Sequence, residues 1–128
     1  MNKQNSVFTD NRGKIINIIE HFHGDIIHII SKKGAIRANH YHKTTGHFCY
    51  VTKGNIKYLE RPVGSTDKPT ITVYNAGEIF WTGPMLEHTM LFEDFVENEF
   101  MCFSTGNRSK EEYEKDLVRL SVNLETYV

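Results

Sequence analysis

Apolar positions along the chain fall in short runs with turn residues between them. KIINIIE (14–20), DIIHIIS (25–31), HFCYVTK (47–53), NIKYLER (55–61), TITVYN (70–75), EIFWT (78–82) and NEFMCFS (98–104) are rich in Ile, Val, Thr, Tyr and Phe. Such residues suit a pleated, half-buried surface, so each run predicts a strand. Arg12-Gly13, His23-Gly24-Asp25, Lys33-Gly34, Lys53-Gly54-Asn55, Ala76-Gly77 and Gly83-Pro84 separate them. RPVGSTDKP (61–69), with two prolines and a glycine, predicts an exposed hairpin loop. Short strands at regular spacing predict an all-β sandwich or barrel, and the lack of β/α alternation argues against a doubly wound fold. One helix is predicted near the C-terminus. Ser109 and Glu112 form a capping box, and Tyr113, Leu117 and Leu120 follow at i, i+4 and i+7. Acids lie early in this stretch and Arg119 late, as the helix dipole favours. The pattern reads as a helix packed on the outside of the barrel with no catalytic part.

Size and composition narrow the picture. The 128 residues fit one domain, 1–128, long enough to bury a core without staples. Hydrophobic content is 39% and the formal net charge is −1, which speaks against disorder and against a nucleic-acid footprint. An anionic ligand would need local positive groups. Cys49 and Cys102 sit in apolar surroundings and no CxxC occurs, so both are expected as buried thiols in a reducing compartment. MNKQNSVFTDNRG has no apolar export segment, and no apolar run approaches a membrane span. The expectation is a soluble, cytoplasmic protein with no membrane partner.

The chemistry-bearing stretch is NHYHKTTGHFCYVTKG (39–54), which holds three of the chain's seven histidines. In a strand, residues i and i+2 share a face, so His40 and His42 can converge on one point. KTTG supplies a turn, and His47 opens the next run and can return to that point. His88, in GPMLEHTML, is a fourth candidate. Four neutral imidazoles suit a divalent zinc, iron, manganese, nickel or copper ion, whereas calcium and magnesium want oxygen.

The spacing carries a resemblance. Gly34, five residues, His40-x-His42, four residues, His47, six residues and Gly54 resemble the first motif of the cupin family. Gly77 with His88 eleven positions on resembles the second. The departures are His47 for the usual glutamate, Gly83 for proline, Met85 for glycine and Phe92 for asparagine. The resemblance implies a single cupin domain, a double-stranded β-helix or jelly-roll barrel, with a metal held by His40, His42, His47 and His88. An all-His set leaves the ion formally dipositive and its ligands more strongly polarised than a carboxylate-containing set would.

VFTDNRGKIINIIE (7–20), with its D-x-R-G turn, is similar to the opening of nucleotide-sugar cupins. That group includes dTDP-4-dehydrorhamnose 3,5-epimerases, 3,4-ketoisomerases and the C-terminal cupin domain of capsular polysaccharide reductase–epimerases. The last resembles this chain most, through its Asn-His-aromatic-His opening and the preceding Ser31-Lys32-Lys33-Gly34. The implied activity is epimerisation or isomerisation of a nucleotide-linked 4-keto sugar in surface polysaccharide biosynthesis. His40 matches the catalytic base of the 3,5-epimerases, a role that competes with metal ligation. Tyr41, Tyr50 and Tyr58 are candidate acids, although strand parity turns Tyr41 and Tyr50 away from the histidines. Arg12, Arg37 and Lys57 are candidates for clamping a diphosphate, and Trp81 for stacking on a sugar or base. Two other readings use the same residues. One is a metal-dependent dioxygenase with Phe80, Met85, Met90 and Phe92 lining an apolar cavity. The other is a binding module without catalysis. The family commonly dimerises through N-terminal strands, so a homodimer is expected.

Overall fold

A computed structural model describes residues 6–19, 24–105 and 110–128. Each predicted run forms a strand, and the polar-rich stretches between some of them form strands as well. In chain order these are β1 (Ser6–Asp10), β2 (Gly13–Asn17), β3 (Asp25–Lys32), β4 (Ile36–His42), β5 (His47–Lys53), β6 (Asn55–Pro62), β7 (Thr70–Asn75), β8 (Ile79–Thr82), β9 (Leu86–Leu91), β10 (Glu97–Ser104) and β11 (Leu117–Arg119). One helix, α1 (Lys110–Asp116), precedes β11, and a single 3₁₀ turn spans Leu124–Tyr127. Residues 63–69 connect β6 and β7, while Arg61 and Pro62, expected in the loop, end β6.

The strands pair antiparallel in two facing sheets, β3-β10-β5-β8 and β11-β4-β9-β6-β7, beside a separate β1-β2 hairpin. This is the jelly-roll barrel that the two motifs imply. Alternation assigns the faces: in β10, Asn98, Phe100, Cys102 and Ser104 are buried and the residues between them are not. The core between the sheets includes Val51, Ile56, Phe80, Phe92 and Phe100, none more than 2% exposed. Burying each contributes roughly 1.5–3 kcal/mol. Tyr74 and Phe80 stack with ring centroids 4.1 Å apart, closing the end of the barrel formed by β6, β7 and β8.

One expectation is corrected. The helix is shorter than its apolar stripe: α1 ends at Asp116, and Leu117 and Val118 leave it to pair with His42 and Tyr41 of β4. An unpaired edge on β4 is satisfied by this pairing, which outweighs another helical turn. The expected cap residue, Ser109, lies outside the described residues. Strands β4 and β9 carry few of the usual strand-forming residues, and their inward positions include His40, His42 and His88 beside Ala38 and Met90.

Candidate metal centre and cavity

The four histidines of the two motifs meet at one mouth of the barrel. His40 and His88 are register partners on β4 and β9, with ring centroids 4.8 Å apart. His42 lies 4.9 Å from His40 on the same strand. His47 begins β5 in the opposite sheet, 5.7 Å from both His42 and His88. One ring nitrogen each from His40, His42 and His88 lies within 4.8 Å of the others. His47 stands beside this trio and belongs to a different close cluster, with Cys49 and Cys102.

A bulge aims the first pair. The β4–β9 register slips between Ala38 and His40, and Ala38 and Asn39 both take left-handed backbone, φ 69° and 61°. That conformation costs a non-glycine residue roughly 1–2 kcal/mol. Asparagine tolerates it, and here its side chain is fully engaged. Its Oδ1 accepts from Thr89 Oγ1 at 3.0 Å and from the Leu124 amide at 3.1 Å, and its Nδ2 donates to the Val122 carbonyl at 3.0 Å. Strain beside a site, held by surrounding bonds, is a frequent mark of function.

Hydrogen bonds set the tautomers. Carboxylates and carbonyls only accept, so His42 Nδ1 donates to Asp116 Oδ2 at 3.1 Å and His88 Nδ1 donates to the Leu86 carbonyl at 2.9 Å. Burial, reinforced by the imidazoles of His47 and His40, holds the His88 pKa well below its usual value, so the ring is neutral. Its Nε2 lone pair is buried with no hydrogen-bond partner among the described residues. An orphaned acceptor of this kind costs about 1–3 kcal/mol unless something fills it. Neutral imidazoles with their outer nitrogens tied to a carboxylate and a carbonyl fit a borderline transition metal.

Asp116 does more than orient His42. It accepts from Thr45 Oγ1 at 2.5 Å, from Thr44 Oγ1 at 2.7 Å and from the Thr44 amide at 2.8 Å, so one carboxylate pins the KTTG turn. Burial pushes its pKa up, but the bonds from Thr45, Thr44 and His42 outweigh that and hold it well below the carboxylate range.

The cavity at this mouth has a volume of about 180 Å³. The histidines, Arg37 and Tyr113 form its polar wall, and Ile29, Met90 and Phe100 its apolar one. Arg37 is fixed there: its Nε donates to Ser31 Oγ at 2.7 Å and its Nη2 to the Ile30 carbonyl at 2.9 Å. Other sequence candidates lie elsewhere. Arg12 is in the β1–β2 hairpin, paired with Asp10 at 2.7 Å. Lys57 pairs with Glu93 at 3.3 Å, and Trp81 packs on Phe48 with centroids 4.7 Å apart. None of these three lines the cavity. Tyr58 is a core residue, its hydroxyl donating to Glu60 Oε1 at 2.9 Å. Of the four apolar side chains the dioxygenase reading uses, Met90 lines the cavity, Phe80 and Phe92 are in the core, and Met85 is exposed.

Residues missed from sequence are Tyr113 and Asp116. The helix that carries them is not a passive cover. Tyr113 sets its ring edge-on to His42 at 5.8 Å, and Asp116 holds that imidazole. Tyr113 shares its position in the helical pattern with Leu117, which is buried, and Leu120, which is half-buried, so periodicity alone reads it as core.

No protein-family model matches the chain, and the search of curated proteins returns no match. Solved structures do match. The capsular polysaccharide assembling protein CapF from Staphylococcus aureus superposes with a TM-score of 0.66 at 19% identity, over 93% of this chain and 35% of its own. The chain thus spans about a third of that protein. A 3,4-ketoisomerase from Helicobacter canadensis gives 0.71 at 15% identity, over 98% and 91%. A dTDP-4-dehydrorhamnose 3,5-epimerase from Sulfolobus tokodaii gives 0.68 at 20%, over 95% and 75%. The chain therefore has the jelly-roll fold of these structures.

Proposed function

We propose that the protein is an epimerase or isomerase that moves a proton α to the ketone of a nucleotide-linked 4-keto sugar, in the making of a surface polysaccharide. The observation that carries this reading is the cavity: three converging imidazoles, a fixed guanidinium and a tyrosine around one small space, in a fold shared with a ketoisomerase and a 3,5-epimerase. Its 180 Å³ is below the roughly 300–1,000 Å³ of pockets that enclose a drug-sized ligand. It takes the sugar, and the nucleotide lies outside the mouth.

His40, His42 and His88 hold a divalent transition metal in this reading, and His47 stands beside it as the fourth imidazole. The chemistry such an ion supplies is polarisation of the ketone oxygen and stabilisation of enolate charge. Ligation takes His40 out of the running as the base. Tyr113, half-buried on the cavity wall, then carries the proton, and Arg37 attracts the anionic end of the substrate. The apolar wall of Ile29, Met90 and Phe100 keeps bulk water from the enolate.

The reading also makes the protein a homodimer acting in the cytoplasm. Support for self-association is the outer face of the β3-β10-β5-β8 sheet, where Ile26 and Ile30 are 55% and 52% exposed, and the hairpin residues Phe8 and Ile15, 60% and 69% exposed.

The test is product analysis on a panel of nucleotide-linked 4-keto-6-deoxy sugars, with metal content measured on protein purified without an affinity tag. Conversion to an epimer or keto isomer is expected, with His40→Ala losing both metal and turnover. Oxygen uptake on apolar substrates instead of sugar conversion would favour the dioxygenase. A His40→Ala variant that keeps its metal but loses turnover would return His40 to the role of base.

A further inference from the structure

Behind the three-imidazole cluster lies a second set of donors, in which the fourth imidazole, His47, meets two thiols that the sugar chemistry does not use. Cys49 and Cys102 are directly opposite each other on β5 and β10, and both point into the core. Neither is in a disulfide. His47, two residues before Cys49 on the same face of β5, brings Nδ1 to 3.3 Å from Cys49 Sγ. One donor atom from each of His47, Cys49 and Cys102 lies within 4.8 Å of the other two. All three residues are buried, but Cys102 lines the cavity, so the set opens to the mouth of the barrel.

We propose that His47, Cys49 and Cys102 form a metal site of their own, taking a thiophilic filled-shell ion such as zinc, cadmium or cuprous copper. Two sulfurs and one nitrogen are a softer donor set than three imidazoles, and soft ligands select such ions. Zinc–sulfur bonds of about 2.3 Å and zinc–nitrogen bonds of about 2.0–2.1 Å in tetrahedral geometry put donors roughly 3.5–3.8 Å apart. Binding breaks two S–H bonds, forms two metal–sulfur bonds and releases two protons to solvent. His47 Nδ1 faces Cys49 Sγ at 3.3 Å, and its ring lies 5.7 Å from those of His42 and His88, so this residue adjoins both clusters. This site does not depend on the sugar reading: it uses neither His40, His42 nor His88.

Reduced protein, stripped of metal and kept from oxygen, is titrated with cadmium-113 and followed by cadmium NMR and by ultraviolet charge-transfer absorption. The wild-type protein is expected to give a resonance in the range of two-thiolate sites together with a thiolate-to-cadmium band. Cys102→Ser should lose both signals, and His40→Ala should keep both. The wild-type resonance needs no variant to fold. A spectrum with signals only in the nitrogen and oxygen range overturns the site. So does a thiolate signal that survives Cys102→Ser in a variant with native circular dichroism, or one that disappears in a folded His40→Ala.

Discussion

At the scale of single residues, Asp116 shows how one half-buried carboxylate can serve both fold and site. It fixes the His42 tautomer and holds Thr44 and Thr45. Asp116→Asn removes the charge that sharpens His42 as a ligand and should weaken transition-metal affinity about 10–100-fold. Competition against a chelator measures this, and unchanged affinity would remove Asp116 from the site. Asp116→Ala should cost roughly 2–3 kcal/mol of stability in urea unfolding, because several charge-assisted bonds go with it. Acid should destabilise the metal-free protein in two stages. The folded-state pKa of His88 is depressed from 6.5, so its contribution is present above that value and is lost as pH falls below it. Asp116 is likewise depressed from 3.8, and its contribution fades only below that. The urea midpoint should therefore drop between pH 7 and pH 5.5; a flat or rising midpoint would contradict the burial of a neutral His88. His40, His42, His47 and His88 were legible because their spacing survives in a linear string. Asp116 was not, since nothing local ties it to His42, 74 residues away.

At the scale of elements, the turns carry the information that strand patterns miss. Gly54 closes the β5–β6 hairpin at φ +74°, and an added Cβ would lie 2.2 Å from Asn98 Oδ1. That Oδ1 accepts from the Asn55 amide at 3.1 Å, so it cannot simply move away. Gly54→Ala should cost about 3 kcal/mol, from left-handed strain plus overpacking. A loss below about 1 kcal/mol in denaturant titration would mean that the turn relaxes. The turn before β9 shows the opposite case. Met85 replaces the glycine usual in the motif, and it sits at φ 60° with its side chain exposed. Its amide donates to the His42 carbonyl at 2.8 Å, which holds the conformation in place. Met85→Gly should therefore stabilise the protein by roughly 1 kcal/mol, read as a rise in Tm; a fall would show that the methionine side chain is needed. Strands with aliphatic and aromatic runs were legible from sequence. The helix boundary was not, because pairing of Leu117–Arg119 with β4 is a tertiary event that competes with a good helical pattern.

At the scale of the whole molecule, the two motifs specified the barrel and the position of its mouth, since His40 and His88 can meet only if β4 and β9 pair. What lines the mouth was legible in part: Arg37 is among the candidate cations of the sequence, whereas Tyr113 reaches the cavity from a helix with no motif of its own. The exposed Ile26 and Ile30 lie on the outer face of a sheet whose other face is core. If a second copy covers that face, sedimentation velocity should give a dimer, and Ile30→Lys should shift it towards monomer. A wild-type monomer at micromolar concentration would show that the face is open to water. The central claim concerns the mouth of the barrel, and hydrogen exchange at carbon tests it most directly. A nucleotide-linked 4-keto-6-deoxyhexose is incubated with the protein in deuterium oxide and read by mass spectrometry and NMR. Deuterium should enter at a carbon adjacent to the ketone with wild-type protein, and Tyr113→Phe should abolish its entry while retaining the bound metal. No incorporation above the protein-free control across a panel of such sugars would contradict proton transfer in this cavity.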